Sequence, residues 1–472
     1  MSPRRSPLPL VLGLILMTGC AGQEAFDLVI ANGRVLDPET GFFEVADIGV
    51  RDGIIAAIGD DLEGDRVIDA MGHVVAPGFI DLHEHGQSEE AYGLMVRDGV
   101  TTALELEVGD ADIDAWYAAR EGGQLVNYGV SIGHMQVRMD VMDDPGTGLT
   151  PAGVAGANAA TPEQLDEIES RLRRGLDRGA LAVGFGTAYT PGATMAEVER
   201  MFGVAAEYDA PVHIHMRNGI AGLASTITAA DRAGASLHIV HVNSSSGEDI
   251  EEFLSTIEEA RASGQDVTTE TYPYGAGMTE ITSALFDDWE SWPDERFGDH
   301  QLVSTGERLT RETFGQARAA GGTVIIHGRT EEMTRTAVAH PLTMIASDGF
   351  IVNGQGHPRT SGSYSKVLGR YVREEGLLGL EEAVAKMTLM PARRLEASAP
   401  LFGRKGRIQV GMDADITVFD PETVIDRSTY MDATVPAEGI PYVVVGGEVV
   451  VDGGRLTAAR PGVGVRAPRQ EP

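Results

Sequence analysis

His83 and His85 stand one residue apart at the end of an apolar run, "PGFIDLHEH", directly after a Pro-Gly turn. Further along, ligand-type residues close other short apolar runs: Glu105 and Glu107 in "TTALELE", His215 in "PVHIHM", His241 in "LHIVHV" and Asp348 in "TMIASDG". Residues two apart on a strand point to the same side, so His83 projects with His85 and Glu105 with Glu107. Imidazole and carboxylate converging on one point suit one or two divalent ions such as zinc, with an open position for an activated water. A lone histidine at a strand end is ordinarily a satisfied polar residue. Five strands that each end in a ligand-type residue do not fit that account, because every uncompensated buried charge costs on the order of several kcal/mol. Of the other histidines, His213 shares a face with His215 but lies deeper, either in the core or behind the ligands. His238 is out of phase with His241 and is expected to face the helices, and His134, ending "VSIGH", is expected behind the ligands rather than among them.

Such residues need a frame that gathers strand ends. The middle of the chain alternates short apolar strands with amphipathic helices, as in "TPEQLDEIESRLRRGLDRGA" leading into "LAVGFG". Eight strand ends are legible: "GFIDLHEH", "TTALELE", "VSIGH", "LAVGFG", "PVHIHM", "LHIVHV", "DVTTETYPY" and "TMIASDG". Repeated strand-helix units predict an α/β fold, a (β/α)8 TIM-like barrel over residues 71–399, whose active sites lie at the C-terminal strand ends. Residues 281–322, rich in Trp and acidic side chains, read as an insertion before the last strand, a lid or a flexible flap. Short alternating strands with Asn-Gly and Asp-Gly turns occupy residues 26–70 and return over 400–462, predicting one small β-sandwich domain built from both chain ends.

The first twenty residues stand apart: Arg4 and Arg5 precede "LPLVLGLILM", long enough for a signal-peptide core and too short to span a membrane. The run ends in "MTGC", so residues 1–20 read as a lipoprotein signal with Cys20 as the lipidated residue, and the chain as exported, periplasmic or at the cell surface. A secretory signal with an incidental cysteine is the alternative. Cys20 is the only cysteine, which excludes an internal disulfide. A net charge of -34 argues against nucleic acid as a partner, because phosphates demand a basic footprint. It leaves a small molecule, with the membrane reached only through the N-terminal lipid; oligomeric state is not legible. All three lysines, Lys366, Lys386 and Lys405, lie late in the chain.

"PGFIDLHEH", the "HIH" and "HIVHVN" segments, "ASDG" and "GMDADITVFDPE" resemble the amidohydrolase superfamily of metal-dependent hydrolases. "GALAVGFGTAYTPG", "DVTTETYPYGAG", "GHPR", "VLGRYVREEGLLGLEEAVAKMT" and "DATVPAEGIPYVVVGGEVV" resemble, more narrowly, its N-acyl-D-amino-acid deacylase (D-aminoacylase) branch, from about Phe26 to Gly462. The resemblance implies hydrolysis of an N-acyl-D-amino acid with zinc as cofactor. It implies that His83 and His85 form one metal subsite, that His215 and His241 form the other, and that Asp348 is both ligand and general base. The branch uses a cysteine at the end of the second strand where this chain has Val108, so Glu107 is the replacement candidate and Glu105 the second choice. A carboxylated lysine from the fourth strand, used elsewhere in the superfamily, is excluded because no lysine precedes Lys366.

Arg359 in "GHPR" matches the arginine that binds the substrate carboxylate in the relatives, and Tyr272 matches a second contact. Asn243 stands where the relatives have a lysine, and His357 is a further candidate at that subsite. That swap keeps open other reactions on the same site, such as dipeptide, cyclic-amide or lactone hydrolysis. A non-catalytic surface lipoprotein is the third reading, and a base set beside metal ligands argues against it.

Overall fold

The computed structural model describes residues 25–146 and 149–469. Cys20 and the signal-like segment lie outside the described residues. Eight parallel strands form the central sheet: Phe79–Asp81, Val100–Asp110, Asn127–Gly133, Val183–Gly186, Val212–His215, Leu237–Ile239, Val267–Thr271 and Thr343–Ile345. Each pairs with its neighbour in chain order, and beyond the strand ends a parallel bridge between Glu84 and Gly349 joins the last to the first. The result is the barrel, and all eight strands are those whose ends the sequence marks.

The strands are buried on both faces, which is why they read as apolar runs. Helices cover the outside. Pro162–Asp177 starts with a capping box between Thr161 and Gln164 and turns Ile168, Leu172 and Leu176 inward, a spacing of four residues that keeps them on one face. Met195–Glu207 is capped by Thr194 and buries Val198, Met201, Phe202 and Ala205 in the same way. These side chains join one apolar cluster with Val183, Phe185 and Val212 of the barrel strands.

Both ends of the described chain share a second sheet of nine strands. Ile416–Phe419 lies antiparallel to Val74–Pro77, pairing Ile416 with Pro77 and Val418 with Val75. Ile30, Val35, Ile48, Val75, Ile416 and Val444 form its core, so neither terminal segment buries its apolar face alone. The N-terminal share runs to Pro77, past the expected residue 70, because Val74–Pro77 pairs with Phe26–Asp37 after the Met71-Gly72 turn.

The insertion is a folded unit. Gly277–Glu280, Thr323–Ile326 and His300–Leu302 make a three-stranded antiparallel sheet, and Arg311–Ala320 packs on it. Phe286, Trp292, Phe297 and Phe314 meet in an apolar cluster of its own. The unit therefore begins at Gly277 and ends at Ile326, wider than 281–322 on both sides, because the segments flanking the insertion pair with each other. A segment with its own sheet and aromatic core is not a structureless flap.

Candidate active site

The strand-end residues meet in one buried cluster at the C-terminal mouth of the barrel. His83, His85, Glu107 and Asp348 form one group whose ligand atoms lie within 4.8 Å of one another, and Glu107, His215 and His241 form a second. Glu107 belongs to both. Its Oε2 is 2.7 Å from His83 Nε2 and 3.2 Å from His85 Nε2, while its Oε1 is 3.3 Å from His215 Nδ1. Asp348 Oδ1 stands 3.5 Å from Nε2 of His83 and of His85. The two glutamates occupy different places. Glu105 Oε2 accepts from His85 Nδ1 at 2.7 Å and its Oε1 accepts from the Val108 amide, so it orients a histidine from behind.

Glu107 reaches this point directly from its strand. His241 and Asp348 reach theirs by leaving the strand with φ of 36° and 50°, left-handed conformations that cost a non-glycine residue of order 1–3 kcal/mol. The turn at His241 corrects the expectation for His238. In a continuous strand the two would face opposite sides; with residue 241 turned, both face the barrel interior. His238 Nε2 donates to Glu270 Oε2 at 3.1 Å and His83 Nδ1 donates to Glu270 Oε1 at 2.5 Å. Against burial, His83 and His238 draw the Glu270 carboxyl down to about 2. Glu270 was not among the sequence candidates, although a glutamate inside the apolar strand "DVTTETYPY" was the available signal.

His213 is fully buried, its ring 4.5 Å from that of His238, and burial pushes it well below its ordinary value, so it is a neutral core residue. His134 pairs with Glu197 and stacks on Phe185, touching none of the ligand candidates.

The donor set fits a cation. His83 and His85 engage Glu270 and Glu105 through Nδ1, which turns each Nε2 into the site, and those two atoms face each other at 3.1 Å. His215 Nδ1 and His241 Nε2 face each other at the same distance. Each nitrogen pair can share at most one proton, whereas a metal ion satisfies both lone pairs. Glu107 Oε1 is buried without a hydrogen-bond partner, which adds an unsatisfied anionic oxygen to the same place. Burial alone would raise Glu107, but His215, His83 and His85 hold it well below the usual carboxylate range. Burial likewise opposes ionisation of Asp348, and Arg359 and His83 hold it well below its ordinary value.

The cluster opens into a cavity lined by His85, Glu107, His215, His241, Tyr272 and Asp348 together with Met278, Leu285, Ile326 and Arg329. The amidohydrolase family model matches residues 133–451. An N-acyl-D-glutamate deacylase of Alcaligenes xylosoxydans xylosoxydans is 33% identical over 479 residues, covering 90% of this chain and 93% of that protein. The chain belongs to the amidohydrolase family. Among solved structures, an N-acyl-D-glutamate deacylase from Bordetella bronchiseptica, in complex with zinc and a phosphonate mimic of the tetrahedral intermediate, matches with a TM-score of 0.81 at 28% identity, over 94% of this chain and all of that one (100%). A D-aminoacylase studied for its binuclear metal centre matches with a TM-score of 0.77 at 26% identity, over 93% and 100% of the two chains.

Of the residues assigned to substrate, the amidohydrolase brings only Tyr272 to the cavity wall. Asn243 donates its amide to the Tyr272 and Tyr274 carbonyls, and His357 hydrogen-bonds the Ala276 carbonyl and the Arg359 amide, so both are occupied by backbone. Arg359 is fully buried and outside the cavity lining, ion-paired through Nη1 2.7 Å from Asp348 Oδ2, while its Nε makes no hydrogen bond. The pairings explain the difference: a motif match aligns a residue in the chain but says nothing of the partner that claims its donors.

Proposed function

We propose that this amidohydrolase is a zinc-dependent deacylase that converts an N-acyl-D-amino acid to a carboxylate and a free D-amino acid. The observation that carries the proposal is Glu107 between two histidine groups, with Asp348 beside it in the same cavity. His83, His85, Glu107 and Asp348 would hold one ion, and Glu107, His215 and His241 would hold a second. Zinc there supplies Lewis acidity, polarising a carbonyl and making water a nucleophile at neutral pH.

Asp348 lines the cavity, and its Oδ1, which Arg359 leaves free, is the oxygen that takes a proton from the attacking water. It returns that proton to the departing amine nitrogen, a role worth roughly 10²- to 10⁴-fold. Arg359 on Oδ2 keeps the carboxylate ionised and fixed in orientation. Glu270 and Glu105 hold His83 and His85 by their Nδ1 atoms and so aim both Nε2 lone pairs. The acyl-D-amino-acid class is supported by the activities of the relatives. The apolar run ending at Cys20 supports export and a lipid anchor, tested by membrane fractionation beside Cys20→Ala.

The deciding experiment is elemental analysis of the chain after Cys20 beside Glu107→Ala, with amine release from N-acetyl-D- and N-acetyl-L-amino acids. Near two equivalents of zinc, reduced in the variant, with D-selective release is the expected result. Metal with no acyl-amino acid cleaved moves the substrate to another amide or a lactone, and absence of metal overturns the reading.

A further inference from the structure

The cavity is lined by carboxylates and histidines of the cluster, yet its lining also carries a guanidinium. Arg329 lies three residues past Thr323–Ile326, the strand that leads out of the insertion. Its Nη1 donates to Tyr272 Oη at 3.0 Å and its Nη2 donates to Ser244 Oγ at 2.7 Å, both neutral hydroxyls, and Ser244 and Tyr272 line the cavity with it. Among the described residues, no carboxylate lies within ion-pair distance of Arg329. Near it in the chain, Arg311, Arg318, Arg335 and Arg370 all have acidic partners.

The surroundings leave room for it. Gly277 opens the insertion opposite the side chain, and a Cβ there would stand 3.1 Å from both Nη atoms of Arg329 and from Tyr272 Oη. The residue expected to supply the substrate's counter-charge, Arg359, is ion-paired with Asp348, and the neutral Asn243 holds backbone carbonyls. A half-buried guanidinium without an ion-pair partner, set beside two hydroxyls in the cavity that holds the hydrolytic cluster, is a preformed receptor for a planar carboxylate.

We infer that Arg329, with Tyr272 and Ser244, binds a carboxylate of the substrate and sets specificity for anionic acyl-amino acids, taking over the charge absent at Asn243. The inference rests on the deacylase reading and names the contact that selects its substrate. The carboxylate is either the α-carboxylate or that of an acidic side chain, and both present the same two oxygens to the guanidinium.

The test compares the zinc-loaded wild type with Arg329→Met and Arg329→Lys on N-acetyl-D-leucine, N-acetyl-D-leucinamide and N-acetyl-D-glutamate. Removing a charged hydrogen-bond donor is expected to raise KM for the carboxylate it holds by roughly 10- to 100-fold, with kcat changed far less. The leucinamide control should be unaffected by Arg329→Met, which also shows the variant folded, and Arg329→Lys should recover part of the loss. A KM rise for both acids assigns Arg329 to the α-carboxylate; a rise for the glutamate alone assigns it to the side chain. Equal KM values in wild type and Arg329→Met for both acids overturn the inference and leave the deacylase reading intact. A zinc-loaded wild type that cleaves no acyl-amino acid overturns both.

Discussion

The cluster of His83, His85, Glu107, His215, His241 and Asp348 comes from the ends of five barrel strands, whereas Met278, Leu285, Ile326 and Arg329, which line the cavity it opens into, come from the insertion and the residues beside it. The first is held from behind by charged partners: Glu270 on His83, Glu105 on His85 and Arg359 on Asp348. The second is held by aromatic packing, Phe286, Trp292, Phe297 and Phe314 around one another. The metal-ligand candidates thus sit on parallel strands that the whole barrel stabilises, and part of the cavity lining sits on a unit with a core of its own. Changes in the second can alter what binds while leaving the metal site in place.

That division is broken most severely from the barrel side. Asp348→Asn removes the proton acceptor and is expected to lower kcat by roughly 10²- to 10⁴-fold; a steady-state assay that finds kcat preserved would move the base to another residue. From the insertion side, Phe314→Ala opens a cavity in the aromatic cluster and should destabilise the unit by about 3–5 kcal/mol. Hydrogen exchange should show the loss confined to residues 277–326, with zinc content unchanged, and loss of zinc would mean the two walls fold as one.

Glu270→Gln tests how far the carboxylates behind the barrel wall matter, because the amide can no longer anchor His83 and His238 as an anion. Zinc affinity by chelator competition should fall roughly 10- to 100-fold, while KM, set by the other wall, moves little. The smallest effect is in pH. Burial, and Arg308 nearby, lower His327 at the end of the insertion strand to about 4. A base depressed in the folded state contributes stability that is fully present above its ordinary value of 6.5 and is lost as pH falls toward 4. Because the side chain is half exposed, less than about 2 kcal/mol is expected after solvent screening. Acid between pH 6.5 and 4 should loosen the insertion, and His327→Gln should flatten that dependence in pH-resolved thermal unfolding.

Much of the barrel wall was legible because its residues obey a local rule. A strand end leaves a polar side chain after an apolar run, and alternation tells which neighbours share its side, so His83 with His85 and Glu105 with Glu107 could be paired without coordinates. The rule failed at His238, where the chain had already left strand geometry at His241, and a positive φ cannot be seen in residue type. It was silent on Glu270, whose partners come from two other strands. Asn243, His357 and Arg359 were placed by motif, and their donors turned out to be claimed by backbone or by Asp348.

The amino-acid sequence by itself determined the order of strands and helices, the type of each ligand at its strand end and the family, since periodicity, capping and motif spacing are properties of neighbours along the chain. Which glutamate stands between the histidine groups, which arginine lines the cavity and how the insertion closes on its own core were decided only by tertiary structure. A hydrogen-bond donor or a charge is used up by whatever segment folds against it, and that segment lies far away in the chain.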